Sequence, residues 1–553
     1  MTDYKQMAEL LFPDIQTTVE EVFAKYPKRN LKPNAQVTRY APSPTGYMHI
    51  GNFFQAFISY NLARISDGIF IVRTEDTDAK REKQGAMEII FHNLDKYGLE
   101  AQEYQRPDGE TKGDYGPYIQ TLRPNFYKVF IKKLVSEGKA FPCFCRKTEG
   151  KEEIMEARET KFIDCDNTEY DACRNLTLDE VKAHLDNGDS FAIRLKTNGD
   201  GKSKIKFYDL IKGEIEAQAN AKDVILLKSD GIPPYTFAHI IDDTLMGVTI
   251  IVRGEEYISS TPVHLEIINA LGFNHFTYCH NPLICKIPEN GKKRKISKRY
   301  DPEADMRFYS ELGYPIDAPI EYLLNLISSK FEPWRNANPN ASWKEFKFAP
   351  NEITTIAPIF DMAKLKDISK NVISKMSAQE VYSLTESWAK EHNEEQLKLI
   401  TENKERLMQV LEIGRGGDRP RKDIAYFSEV VNLYNYVLSS YSADYSAVSF
   451  ENIKKANLKQ FLEEYMNTYT LQESNQEWFE NLKNIALKHN FVDNKTYKLN
   501  PEAYAGNVSD AAKFVRIAIT GRTDSPELYS IMKIIGEEKC KERLNAFIKV
   551  IKA

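Results

Sequence analysis

VTRYAPSPTGYMHIGNFFQAFISYNLARISDGIFIVR, residues 37–73, is the stretch whose reading decides the fold. It opens on a short strand ending at Arg39–Tyr40, passes through a turn rich in proline and glycine, and runs into a segment whose apolar residues suit a packed helix. Gly68-Ile-Phe-Ile-Val-Arg73, an apolar run bounded by glycine and charge, reads as a second buried strand. Strand, glycine-bearing loop, helix and strand make one βαβ unit of a parallel nucleotide-binding sheet. The loop Pro42–Asn52 joins strand to helix, so backbone N–H groups and the helix dipole there can face an anion. Gly51 lets a nucleotide approach the backbone closely, and His49 can donate to phosphate oxygens. Taken alone, His-Ile-Gly reads as readily as a turn with a surface histidine.

Outward from this unit, a chain of 553 residues implies several domains. With 42% hydrophobic, 28% charged and 11% aromatic residues it falls among globular proteins, outside the disordered, collagen-like and disulfide-scaffold classes. A formal net charge of −5 excludes a generally basic nucleic-acid coat but leaves room for local basic grooves. The chain has no apolar run of about 18 residues and begins with an acidic, amphipathic segment. The expectation is a cytoplasmic protein without membrane contact.

Residues 1–36 read as a helical extension: Leu10, Leu11, Ile15, Val19, Val22 and Phe23 recur at helical spacing until Pro27 and Pro33. The first half of the split sheet spans 37–114. An inserted α+β domain follows at 115–236, with a helix in NFYKVFIKKLVSEGK and strand candidates in SFAIRLK and KIKFYDLIKGEIE. The second half of the sheet spans 237–300, and the apolar runs DVILLKSDG and DDTLMGVTIIVRGEEY read as buried strands. Helical periodicity then takes over, in a connective domain at 301–372 and an all-α module at 373–553. NEEQLKLITENKERLMQVLEI and AYFSEVVNLYNYVLSSY read as helices, FEPWRNANPNAS and GRGGDRPR as loops.

Gly291-Lys-Lys-Arg-Lys-Ile-Ser-Lys-Arg299 carries six basic residues in nine behind a glycine. As a solvated face or nucleic-acid patch it would be unremarked, but lysines on a mobile loop also suit neutralisation of phosphate charge in phosphoryl chemistry. RYAPSPTGYMHIGN, VRTEDTD, SDGIPPYTFAHIIDD, IVRGEEY and KISKR, in that order, resemble a bacterial-type glutamyl-tRNA synthetase of class I. HIGN corresponds to the family's HIGH motif and Lys295–Arg299 to its KMSKS motif. Ser374-Lys-Met-Ser377 is closer in letters but lies in the helical half. Recognisable blocks cover roughly 37–430, and FVRIAITGR and GEEKCKERLNAF extend the likeness more thinly.

The resemblance implies attack of a glutamate carboxylate on the α-phosphate of ATP, supplied with Mg²⁺, then transfer to the terminal ribose of tRNA(Glu). Whether tRNA(Gln) is also charged stays open, and the expected state is a monomer. It assigns His49 and Gly51 to phosphate and adenosine, Lys298 supported by Lys295 to the transferring phosphates, Glu256 to the ribose and the Ile284 backbone to adenine. A substrate with two carboxylates and an ammonium needs guanidinium and carboxylate partners, and Arg39, Arg253 and Glu75 stand at strand ends to supply them. The family pattern adds Ala41, Ser43, Tyr235 and His239. Tyr257 stands where many relatives carry tryptophan or histidine, and Asn52 replaces the second histidine of HIGH.

In the inserted domain Cys143, Cys145 and Cys173 match a structural zinc pattern of some relatives, Asn175 replaces its histidine, and Cys165 could complete four thiolates. Buried thiols of a decayed site are the alternative. The resemblance puts Tyr118, Gln120 and Arg123 near the acceptor end of tRNA. The basic loop with Arg415, Arg419, Arg421 and Lys422 suits phosphate contact, or is simply a solvated connection. A glutaminyl enzyme would show Pro-Pro-Glu-Pro where this chain has Ala41-Pro-Ser-Pro44, a glutamyl-queuosine enzyme would stop before the helical module, and a small adenylyltransferase would lack the insertion and KISKR. A silent tRNA-binding paralogue would bind tRNA without acylating it.

Overall fold

The computed structural model describes residues 3–78, 83–145, 173–446, 448–451, 453–471 and 474–551. They fall into two compact units, Met1–Phe308 with Ile320–Asp361, and Tyr309–Pro319 with Met362–Ala553. Among the described residues no helix is long and apolar enough to cross a membrane.

In the first unit the βαβ reading holds. Val37–Tyr40 pairs in parallel with Ile69–Val72, from Val37 opposite Ile69 to Tyr40 opposite Val72. The connecting helix Ile50–Ile65 buries Phe53, Phe54, Phe57 and Ile58 against the sheet. Gly68 is fixed by space: a Cβ there would stand 1.9 Å from the Gln36 carbonyl oxygen, which accepts the Ile69 N–H at 2.9 Å. No side chain fits between these two edges of the sheet.

The sheet has six strands, ordered Ile69–Val72, Val37–Tyr40, Ile250–Gly254, Thr277–Asn281, Lys204–Asp209, Gly213–Gln218. The last two form an antiparallel hairpin, and its Asp209 end lies beside Tyr278 in parallel. Here the structure departs from the expected division, because a hairpin within 115–236 finishes the catalytic sheet instead of standing apart. Conversely, Ile225–Leu227 pairs within a small antiparallel sheet with Ala192–Leu195 and Ala140–Cys143, and Asp242–Leu245, read as the start of a strand, close the helix Tyr235–Leu245, the strand beginning only at Ile250. Short apolar runs do not distinguish buried helix from buried strand, and Pro233-Pro234 before Tyr235 was the helix-start signal.

The N-terminal segment forms two helices, Tyr4–Leu11 and Val19–Lys25, the second opened by a capping box between Thr18 and Glu21. Their Met7, Ala8, Leu11 and Val22 share one core with Phe130, Ile131 and Leu134 of helix Pro124–Ser136. Arg29 then reaches inward. It holds Glu103 through two bonds of 2.6 and 2.8 Å, donates to the Met246 carbonyl at 2.7 Å, and lies 3.7 Å from the Tyr115 ring centre.

The second unit is helical around one large core. Its long predicted helix is broken at Asn403 into Glu394–Glu402 and Lys404–Glu412, where the Asn403 amide caps Leu399 and accepts the Ser439 N–H. AYFSEVVNLYNYVLSSY forms only short turns, Phe427–Glu429, Val430–Leu433 and Asn435–Val437. Its β-branched and aromatic residues favour helix weakly, and buried Tyr434 is held by Asp423 and Arg421 instead. Phe331–Ala337, read as loop, belongs to the first unit and is a helix; Pro333 falls in its first turn, where a missing N–H costs nothing, and Phe331 anchors it on Phe346.

The side chains of Arg29 and Glu103 are 7% and 8% exposed, so Arg29→Ala strands a buried carboxylate. Loss of one partner of such a pair costs about 3–5 kcal/mol. Chemical denaturation of the variant should show a loss in that range; a loss below about 1 kcal/mol would show that the arm is not anchored there.

Candidate active site

His49 is the residue before helix Ile50–Ile65, and its Nδ1 accepts the Gly51 N–H at 2.9 Å. The cap fixes the tautomer, leaving Nε2–H as the donor. Burial, followed by the charges of Lys298 and Lys295, lowers the imidazole pKa to about 4, so it is neutral at pH 7. A Cβ on residue 51 would come within 3.1 Å of His49 Nδ1, so glycine keeps both the cap and the open approach.

His49, Gly51, Glu256, Ile284 and Lys295 line one cleft of about 410 Å³, together with Asn52 and Asn281. Lys295 lies 3.6 Å from Glu256 across it. The Ile284 carbonyl accepts the Ile296 N–H at 3.0 Å, tying the strand before the basic loop to the KISKR segment. Lys298 donates to the Tyr47 carbonyl at 2.6 Å, and burial depresses its pKa. Asn52, in place of the second histidine of HIGH, is exposed on the first turn of the helix.

Beside this cleft the ends of the parallel strands carry a buried lattice of charges. Arg39 reaches both oxygens of Asp243 at 3.2 Å and the Val252 carbonyl at 3.0 Å. Arg73 bonds Asp243 at 2.7 Å and Glu75 at 2.9 Å, and Arg123 bonds Asp242 at 2.6 Å. Three guanidinium groups thus face three carboxylates, all within hydrogen-bond reach. Burial works to raise Asp243, but Arg39 and Arg73 overcome it and hold the carboxyl well below the usual range. At Glu75 burial wins over Arg73 and Arg39 and pushes the pKa up to about 7.

Arg253 is different. It is 1% exposed, yet its contacts are the His280 Nε2 at 3.0 Å, the His264 Nδ1 at 3.0 Å and the Thr261 hydroxyl at 2.8 Å. All three are neutral acceptors, since burial holds both imidazoles below their ordinary pKa. No carboxylate among the described residues pairs with it directly. A guanidinium has five N–H donors, so two remain for an entering group, the number a carboxylate takes. Tyr235 stacks on His239 at 4.6 Å, and His239 meets His264 edge-on at 4.5 Å. Ala41 is half-buried and Ser43 exposed on the loop leading to the cleft.

Of the residues named by the pattern reading, His49, Gly51, Glu256, Ile284 and Lys295 come together around one cleft. That reading missed Asp209, Asp242, Asp243, Thr261, His264 and His280; the adjacent aspartates in the apolar helix Tyr235–Leu245 were the visible signal. Three expected RNA contacts are corrected by burial. Tyr118, Gln120 and Arg123 are at most 1% exposed; the Tyr118 hydroxyl donates to Glu103, and Gln120 Nε2 and Arg123 Nε donate to Asp242. In the second unit Arg415 and Arg421 bond backbone carbonyls of Leu411, Ile373 and Met376, and of Val410 and Ile413, so they close helix ends. Arg419 and Lys422 remain exposed. The sulfur atoms of Cys143, Cys145 and Cys173 lie within 4.8 Å of one another, whereas Cys165 lies outside the described residues.

A family model described as "tRNA synthetases class I (E and Q), catalytic domain" matches residues 36–347, and one described as "Anticodon binding domain" matches 389–548. The glutamate–tRNA ligase of Acetivibrio thermocellus is 42% identical over 99% of this chain and 100% of its own length. That of Clostridium beijerinckii is 40% identical over the same shares, 99% and 100%. The solved glutamate-tRNA synthetase of Elizabethkingia anophelis, 24% identical, shares the fold with a TM-score of 0.71 over 93% of this chain and 99% of that one.

His239 is fully buried and its pKa is lowered to about 4, burial again leading. Between pH 6.5 and 4 the unfolded imidazole takes a proton that the folded one refuses, so its contribution to stability is lost as pH falls, at about 1.4 kcal/mol per pH unit. Glu75 acts in the opposite sense between about 4.5 and 7, since its folded pKa is raised. Comparing urea unfolding of wild type and His239→Gln isolates the histidine: the difference should change by about 3 kcal/mol over this window and be flat above it. A flat difference throughout would mean that the imidazole is not held neutral.

Proposed function

The chain belongs to the class I tRNA synthetases for glutamate and glutamine, and from that premise we propose that its cleft holds ATP and that its charge lattice selects glutamate. Its activity is that of a glutamate–tRNA ligase: it activates L-glutamate with ATP to glutamyl-adenylate and transfers the glutamyl group to the 3′-terminal adenosine of tRNA(Glu), releasing AMP and pyrophosphate.

Arg253 carries the reading of substrate choice. Its two uncommitted donors receive the side-chain carboxylate, assisted by Arg39, and Glu75 receives the ammonium. Glutamine would place an amide against a buried cation that has no direct counter-charge, a mismatch of large cost. The α-carboxylate is left facing the ATP, which enters as its Mg²⁺ complex. His49 donates through Nε2 to phosphate, Gly51 admits the nucleotide, Glu256 meets the ribose and Ile284 the adenine. Lys298 and Lys295 neutralise charge building on the phosphates as the α-carboxylate attacks in line.

The thiols of Cys143, Cys145 and Cys173 fit a zinc ion, which would lock the end of strand Ala140–Cys143 to Cys173; the zinc content of the purified chain is the check. For tRNA, the insertion holds the acceptor end and the second unit the anticodon. Supporting the latter is a pocket of about 970 Å³ lined by Trp478, Phe479, Arg516 and Glu527, with Phe479 41% exposed as a surface for stacking an unpaired base. Arg419 and Lys422 supply phosphate contacts, and the chain acts in the cytoplasm as a monomer.

ATP-dependent attachment of labelled glutamate to purified tRNA(Glu) and, separately, tRNA(Gln) tests this directly. Charging of tRNA(Glu) is the expected result. Charging of both would make the enzyme non-discriminating and require a later amidation, and charging of neither would contradict the reading. In the same assay run as a single turnover, Lys298→Ala should slow adenylate formation by about 10²–10³. An unchanged rate removes Lys298 from the chemistry.

A further inference from the structure

Arg253 is aimed by a chain of contacts that begins in the hairpin completing the sheet. Asp209 ends strand Lys204–Asp209, and its Oδ1 accepts the N–H groups of Ile211 and Lys212, both at 2.9 Å. Its Oδ2 accepts the His280 N–H at 2.9 Å and meets His280 Nδ1 at 2.8 Å. A carboxylate accepts only, so Nδ1 must carry the proton, and the lone pair of His280 is left on Nε2. That lone pair is 3.0 Å from Arg253 Nε, which can only donate. Every proton in the line Asp209, His280, Arg253 is therefore fixed by the acceptor-only carboxylate at one end and the donor-only guanidinium at the other.

We propose that Asp209 and His280 are positioning residues for substrate selection: they orient Arg253 through a single imidazole tautomer and keep its counter-charge one ring away, so that its uncommitted donors stay open to the side-chain carboxylate. This rests on the assignment of Arg253 to glutamate above. The negative charge of Asp209 stabilises the buried guanidinium before substrate arrives, but across the imidazole and not by direct contact. A carboxylate placed directly on Arg253 would compete with substrate for the same donors. The arrangement also accounts for the topology, since Asp209 reaches His280 only because the hairpin lies beside strand Thr277–Asn281, with Leu210 N–H bonded to the Tyr278 carbonyl at 2.8 Å.

Asp209→Asn tests the tautomer argument. An asparagine amide turned toward His280 would donate to Nδ1, force the proton onto Nε2, and set donor against donor at Arg253. In steady-state aminoacylation by the full-length enzyme, KM for glutamate should rise at least about tenfold while KM for ATP changes less than about twofold, the pattern of a lost substrate contact. His280→Gln, which keeps one donor and one acceptor, should recover most of the glutamate affinity lost in His280→Phe. Rescue by glutamine with no rescue by phenylalanine separates positioning from packing, because phenylalanine conserves ring volume and glutamine does not. Equal losses for glutamate and ATP, or equal behaviour of the two His280 variants, would overturn the relay. Arg253→Lys is the control for the premise: an unchanged KM for glutamate there would overturn the assignment of Arg253 itself, whereas a raised one beside an unaffected Asp209→Asn would overturn the relay alone.

Discussion

A guanidinium buried among neutral acceptors must find its direct counter-charge in whatever enters the site, and Arg253 imposes that condition on the catalytic unit. Its neighbours are arranged so as not to satisfy it. The histidines at 264 and 280 are held neutral by burial, and Thr261 adds a hydroxyl. Arg39, Arg73 and Arg123 each bond a carboxylate of Glu75, Asp242 or Asp243, so every other guanidinium of the lattice already has a direct acidic partner. On the proposed role of Arg253, selection of an acidic amino acid follows from charge matching in a poorly solvated site, where an unmatched ion is far more costly than in water.

The fold serves this arrangement through strand ends. A parallel sheet brings the C-terminal ends of Val37–Tyr40 and Ile250–Gly254 together, and with them Arg39 and Arg253, beside the N-terminus of the helix that His49 caps. The proposed nucleotide cleft and amino-acid pocket are therefore neighbours by topology. The N-terminal arm joins the same lattice from behind. Tyr26 accepts from Arg123 at 3.0 Å while Arg123 holds Asp242, and Arg29 clamps Glu103, which also takes the Tyr118 hydroxyl.

Much of this was legible in the chain. The βαβ unit announced itself through the glycine-bearing loop between two apolar runs, and the ordered motif blocks brought five cleft residues together. What was not legible has a physical reason. Tyr118, Gln120 and Arg123 look like surface polar residues until the partners Glu103 and Asp242 are seen, and those are separated from them by up to 122 positions. Asp209 sits in a segment that reads as part of a separate insertion, and only strand pairing reveals that it completes the active-site sheet. Arg415 and Arg421 were read by charge, whereas nearby helix carbonyls needed donors. Long-range pairing of buried charges has no local periodicity to betray it.

Calorimetric titration of glutamate and of glutamine into the intact protein at pH 7, in buffers of differing ionisation enthalpy, tests the central claim most directly. Glu75, with its pKa raised to about 7, is partly protonated there, and an arriving ammonium should drive that proton off. The account predicts glutamate binding with release of about half a proton at pH 7, fading by about pH 8.5, and glutamine binding weaker by tenfold or more. Glutamine bound as tightly as glutamate, or glutamate bound with no proton released at pH 7, would contradict it.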